Sequence, residues 1–366
     1  MRATAAVAIG AAGACVVLLA GCTSHPAPDD RPAAAKNGDI APLSGRATAL
    51  PVPLGKGSRV PADFNGDGHR DLVVNDLVKA PGDTHGDDAG IGVLYGTAGP
   101  RALDPVVRRL LTPRANAAPV DGTLPAAFDA AAACDLDKDG FSDLIVATDP
   151  PYNGIGRPPV PLQLLFGSPS GLGGKAVVLR IPEKARYGND WPDHPVCGDF
   201  DGDGSTDLAV TASAGRVSFL RGPFTRTGAP RTATAPVPGG GPALSAPSPK
   251  PDANGDGYDD LVVSARTPKP GASAKGKLLL GGPDGPGRAG GRYVLDAVRT
   301  PPAPLLPSGE TTPTTDVLQY ADFDGDKRPD LVTRTHRGER ADVLALYPAT
   351  APSHPLLTFS SSVFLR

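Results

Sequence analysis

Asp199-Phe200-Asp201-Gly202-Asp203-Gly204-Ser205-Thr206-Asp207 runs directly into Leu208-Ala209-Val210. Carboxylates at positions 1, 3, 5 and 9, a carbonyl at 7 and a glycine at 6 that can turn the backbone sharply make an oxygen cage for a hard divalent cation. Asp and Gly are also the commonest turn residues, so a single copy would say little.

The frame recurs four more times. It reads Asp63-x-Asn65-x-Asp67-Gly68-x-x-Asp71, Asp135-x-Asp137-x-Asp139-Gly140-x-x-Asp143, Asp252-x-Asn254-x-Asp256-Gly257-x-x-Asp260 and Asp322-x-Asp324-x-Asp326-Lys327-x-x-Asp330. The intervals between first residues are 72, 64, 53 and 70, a spacing that marks a repeat architecture. An EF-hand loop would carry Glu at position 12 and lead into a helix. Here position 12 is Val74, Val146, Val210, Val263 or Thr333, within short β-branched runs such as Leu144-Ile145-Val146. Each cage therefore joins two strands. A further strand ending in Gly follows in the first four copies, as in Val93-Leu94-Tyr95-Gly96 and Leu164-Leu165-Phe166-Gly167; the fifth has Leu346-Tyr347-Pro348.

With these residues in view, the chain resembles the FG-GAP (VCBS) repeat family, which includes the N-terminal β-propeller of integrin α chains. The resemblance covers roughly residues 60–350. It implies an all-β ring of four-stranded blades, with Ca²⁺ held between the first two strands of each blade by the acids and amides quoted above. Five copies at this spacing predict five blades, with six or seven including degenerate members as the alternative. The fifth copy departs from the pattern. Lys327 replaces the glycine, and Arg328 and Pro329 follow it. A side chain at a left-handed position and two cations beside the cage make this the weakest of the five expected sites.

The chain opens with Met1-Arg2, an apolar run from Ala3 to Ala20 and then Gly21-Cys22, the pattern of a secretory leader. The box ending in Cys22 resembles the bacterial lipoprotein signal, which implies a leader at residues 1–21 and lipidation of Cys22 on the outer face of the bacterial cell membrane. Residues 22–45, rich in Pro, Ala and charge, read as a flexible tether, and residues 46–366 as the propeller. Gly and Pro number 46 and 43, close to a disordered composition, but the regular strands and cages argue for a folded ring.

Past the leader, Cys134 stands one residue before its cage and Cys197 two before the next. Side chains alternate across a strand, so the offset turns the two cysteines toward each other across a blade boundary, and an oxidising compartment would join them. The alternative is two buried thiols. The net charge of −3 conceals that 18 of the 39 Asp and Glu residues stand in the cages, so Ca²⁺ is expected to contribute to folding.

Other chemistry finds little support. Gly285-Pro286-Gly287-Arg288-Ala289-Gly290 fits a dinucleotide fingerprint but lacks the helix and the distant acid. The six His residues form no zinc spacing, and no basic, aromatic-rich run suggests nucleic acid. The long connections at 75–91, 147–160, 182–195, 264–276 and 333–341 are placed on the rim opposite the cages. There Tyr152, Asp190, Trp191 and His194 are candidate ligand contacts, while packing of Trp191 between two blades is the alternative. The reading is an extracellular recognition module for a glycan or protein, not an enzyme. The rival is an envelope hydrolase or lyase using Asp83, Asp87, Asp88, Asp190 or Asp193, although these show no spacing characteristic of a catalytic pair.

Overall fold

A computed structural model of the protein describes residues 48–186, 188, 191–266, 272–301, 314–338 and 340–365. The leader, Cys22, the tether and Asp190 lie outside them. No helix among the described residues is long and apolar enough to cross a membrane.

The strands form five antiparallel sheets, each built from consecutive strands. The first holds β1 (Leu72–Val74), β2 (Ile91–Gly96) and β3 (Leu103–Leu111). The second holds β4 (Phe128–Cys134), β5 (Asp143–Thr148), β6 (Leu162–Leu165) and β7 (Val177–Val178). In the third, β8 (Val196–Gly198), β9 (Asp207–Ala212) and β10 (Arg216–Arg221) are followed by β11 (Thr232–Ala233) and β12 (Val237–Pro238), which share the last place beside β10. The fourth has β13 (Ala243–Ser245), β14 (Leu261–Ser264), β15 (Ala274–Leu280) and β16 (Arg288–Leu295). The fifth has β17 (Thr315–Ala321), β18 (Asp330–Arg337), β19 (Arg340–Tyr347) and β20 (Leu357–Ser360).

These sheets are the blades of a five-bladed, all-β propeller, as the five-copy count predicted. Blade one has three regular strands. In the place of its first strand, Ala62 accepts a single ladder bond from the Asp71 N–H at 2.9 Å. One expected connection is also corrected, since residues 333–341 belong mostly to β18 and β19, joined by a tight turn at Gly338 with φ +69°.

Apolar side chains alternate along the strands, and the faces they form pack blade against blade. Tyr95 and Val93 meet Phe128 and Leu144 between blades one and two. Leu136 and Leu164 meet Leu208 and Leu220 between two and three, and Phe219 meets Leu261 and Val263 between three and four. Phe359, Phe364 and Val332 of the last blade pack with Leu72, Leu94 and Leu103 of the first, which closes the ring. Arg334 fastens the same joint by donating to the Asn75 carbonyl at 2.7 Å while pairing with buried Asp342. Arg108 donates across it to Val363 O, also at 2.7 Å.

Cys134 and Cys197 form a disulfide with a Cα separation of 6.4 Å. It joins the first strands of blades two and three, as the offset in their positions predicted. Antiparallel alternation places the cages and the connections between third and fourth strands on one rim. The connections after second strands and between blades share the other.

Candidate functional site

Each nine-residue loop is closed at its base by a strand pair, seen directly as Cys134 with Asp143, Gly198 with Asp207 and Ala321 with Asp330. Within it the position 1 carboxylate accepts from the N–H of position 6: Gly68 to Asp63 at 2.7 Å, and Gly140 to Asp135, Gly204 to Asp199, Gly257 to Asp252 and Lys327 to Asp322 at 2.9 Å. The position 5 carboxylates Asp67, Asp139, Asp203, Asp256 and Asp326 accept from position 7 at 2.8–3.2 Å. Backbone donors folded round one anion in this way form a nest. Lys327 adopts φ +67° and keeps the bond that glycine makes elsewhere, so the fifth loop retains the shared conformation at the cost of local strain.

The position 9 aspartates are buried at 0–1 % exposure in all five copies. One oxygen of each accepts from the N–H of position 2: Phe64 to Asp71, Leu136 to Asp143, Phe200 to Asp207, Ala253 to Asp260 and Phe323 to Asp330, at 2.8–3.2 Å. The other accepts from the end of the next strand, through Gly96, Gly167, Gly222 and Gly281 at 2.8–2.9 Å and Ala349 at 3.0 Å. Position 9 is thus a strut tying the cage to the third strand of its blade. The glycine there is required by close approach. A Cβ on Gly96, Gly167, Gly222 or Gly281 would lie 2.0–2.5 Å from the carbonyl oxygen of position 8. The sequence displayed both residues, but not that one meets the other.

Burial raises the carboxyl of Asp143 to about 8, against its two N–H donors and with Asp137 and Asp135 adding repulsion. Burial likewise brings Asp207 to about 7 and Asp137 to about 6, and holds Asp71 well above the ordinary range. Such a concentration of acid is what a divalent cation would neutralise. Asp135, Asp137 and Asp143 offer oxygens within 4.8 Å of one another, as do Asp199, Asp201 and Asp203, and Asp322, Asp324 and Asp330. In three cages an oxygen is buried with no hydrogen-bond partner, namely Asn65 Oδ1, Asp137 Oδ1 and Asp199 Oδ1. All-oxygen donors and orphaned buried acceptors fit a hard cation, the nest serving to hold the position 1 carboxylate in place.

The ring has a further part that the sequence reading missed. Residues 50–58 form a strap over the cage rim: Leu50 donates to Val106 O at 2.7 Å, Gly55 to Pro169 O at 3.1 Å, Gly57 to Gly66 O at 3.1 Å and Ser58 to Gly140 O at 2.7 Å. The Ser58 hydroxyl donates to Asp63 Oδ2 at 2.6 Å, and Asn65 donates to Pro53 O at 2.9 Å. Pro51 to Ser58 offers two glycines as its only signal, and Gly55 passes so close to the Asn65 carbonyl that a Cβ would sit 2.0 Å from it.

On the opposite rim, Tyr152 and Trp191 line one open cavity of about 750 Å³ with Leu124, Pro150, Pro151 and Asp149. Tyr152 is 42 % exposed and donates to Gly156 O at 2.7 Å, which fixes its loop. Trp191 is half-buried. His194 is not part of that lining; it lies 3.5 Å from the Asp193 carboxylate. Asp83, Asp87 and Asp88 line a second cavity of about 380 Å³ on this rim. There Asp87 pairs with Arg114 at 3.2 Å, Asp83 with His85 at 2.9 Å, and Asp88 accepts from the Phe128 N–H at 2.8 Å.

The FG-GAP repeat family model matches residues 196–224, from β8 through the third cage to the turn after β10. The molecule is a five-bladed β-propeller, and its third blade is similar to an FG-GAP repeat over residues 196–224. Among solved structures, the crystal structure of BBS1N in complex with ARL6DN, soaked with lead, aligns over 88 % of this chain and 84 % of that one, at 13 % identity and a TM-score of 0.22. A likeness that low carries no weight for function. No curated protein sequence matches the chain.

Proposed function

We propose that the protein is an exported, lipid-anchored β-propeller that holds Ca²⁺ in its cages and recognises a glycan or protein outside the cell through the rim opposite them. The observation that carries recognition is the shared cavity of Tyr152 and Trp191. Two aromatic rings and two prolines, with Asp149 in the same lining, suit the apolar face and hydroxyl edge of a sugar. The cages support the calcium reading at up to five sites, the one at Asp322–Asp330 set apart by Lys327. The apolar leader ending in Cys22 supports export and anchoring, and a disulfide between Cys134 and Cys197 suits an oxidising compartment.

A glycan array probed with the full chain, and with Trp191→Ala and Tyr152→Ala, tests the recognition reading. The expected result is binding by the parent and loss in both variants, with the melting temperature retained. Undiminished binding by both variants would contradict it. A fall in melting temperature confined to Trp191→Ala would assign that ring to packing between blades.

A further inference from the structure

The cages differ in what meets the charge of positions 3 and 5. In cages one and four position 3 is Asn, and its Nδ2 donates to the position 5 carboxylate, Asn65 to Asp67 and Asn254 to Asp256, both at 2.9 Å. In cages two and three position 3 is Asp, and arginines from outside the loop take the place of that amide. Arg226 sets Nε 2.9 Å from Asp137 Oδ2 and a terminal nitrogen against Asp139 Oδ2, so one guanidinium bridges positions 3 and 5. It lies over the ring of Phe166, 5.2 Å from the centroid, which orients the group. In cage three Arg231 pairs with Asp203, and Arg221 Nε lies 3.0 Å from Asp201 Oδ2.

All three arginines belong to residues 221–231, the end of β10 and the connection after it. Arg226 therefore reaches from blade three to the cage of blade two. The fifth cage, the remaining one with four acids, carries Lys327 and Arg328 within its own loop. Arginine side chains thus pair with the acids of cages two and three, while in cage five the cations stand in the loop sequence itself. The three-carboxylate cages use an amide, and the highly exposed Arg288 stands no closer than 3.5 Å to Asp256 in cage four.

Arg226 does not fill cage two. Asp139 has both oxygens engaged, one by Arg226 and one by the Phe141 N–H at 3.0 Å. Asp137, with its side chain 8 % exposed, keeps Oδ1 buried and without a partner. One guanidinium against four carboxylates leaves the cage acidic, with Asp137 Oδ1 still lacking a partner.

We propose that Arg226 and Arg231 are built-in counter-ions that set the metal affinity of cages two and three. In the absence of metal Arg226 ties positions 3 and 5 of cage two together and Arg231 holds position 5 of cage three; a divalent cation must share or displace their carboxylate oxygens to bind. The proposal rests on the calcium reading above. The three ion pairs of these two half-exposed arginines are modest interactions, so replacing the arginines by Gln should raise Ca²⁺ affinity at these cages about fivefold to tenfold.

The test is calorimetric titration of Ca²⁺ into the metal-stripped full chain, comparing the parent, Arg226→Gln/Arg231→Gln and Arg226→Lys/Arg231→Lys. The Gln variant should show two tightened sites and a lower melting temperature only when metal-free, while the Lys variant stays near the parent. Unchanged or weakened binding in the Gln variant would overturn the counter-ion role. So would a melting temperature lowered equally with and without Ca²⁺, which is the mark of a merely structural ion pair. Absence of binding heat in every protein would sink the calcium reading and this proposal with it, an outcome distinct from equal heats in all three.

Discussion

At the scale of single residues, the acids of one cage fall into two kinds. Asp137 is a donor short of partners, whereas Asp143 spends both oxygens on the N–H groups of Leu136 and Gly167. Asp143→Ala leaves two buried donors unsatisfied, so it should lower stability by about 2–4 kcal/mol with or without Ca²⁺. Asp137→Ala, which removes one partner of Arg226, should cost little without Ca²⁺ and lose mainly the part that Ca²⁺ supplies. Chemical denaturation in each condition checks both, and an Asp143→Ala effect confined to the calcium-loaded state would contradict the strut. The same residues predict a pH dependence. Asp143 titrates at about 8 and Asp207 at about 7 in the fold, against about 4 in an unfolded chain. Between those values the folded state binds more protons, so stability of the metal-free protein falls as pH rises. Melting of metal-stripped protein at pH 5 and pH 8 should show the lower temperature at pH 8, with the gap narrowed by Ca²⁺; equal temperatures without metal would contradict the assignment.

At the scale of elements, the unit is a hairpin whose turn is a cage, followed by a strand pinned to that turn. The hairpin was legible in the sequence because Asp-x-Asp-x-Asp-Gly is local and the β-branched run follows at once. The pin was not, because Asp207 and Gly222 are 15 residues apart and their bond depends on how the strand returns. The strap was illegible for a similar reason. Its hydrogen bonds go to Val106, Pro169 and Gly140, and nothing periodic marks an irregular segment. The cysteines were readable because each has a fixed offset from a cage. Their bond closes a loop across a sequence separation of 63 residues, which should stabilise the fold by about 3–4 kcal/mol through the unfolded chain. Cys134→Ser/Cys197→Ser should lose that amount in denaturant unfolding. A loss below about 1 kcal/mol would contradict a contribution made through the unfolded chain.

At the scale of the molecule, no strand among the described residues is exchanged between first and last blades. Closure falls to Phe359 and Phe364 against Leu94 and Leu103, with Arg334 and Arg108 bonded to the facing backbone. The blade count was legible from five cages, but this closure was not, since it joins residues more than 250 positions apart. Eighteen acids in five small loops leave the closed ring carrying repulsion that a bound cation would relieve. The most direct measurement is the melting temperature of the full chain in excess chelator and in millimolar Ca²⁺, alongside calcium content per chain after gel filtration. Several calcium equivalents and a melting temperature raised by 10 °C or more, about the shift expected for a few kcal/mol of linked binding, is the predicted result. No retained calcium and a melting temperature unmoved by chelator would contradict it.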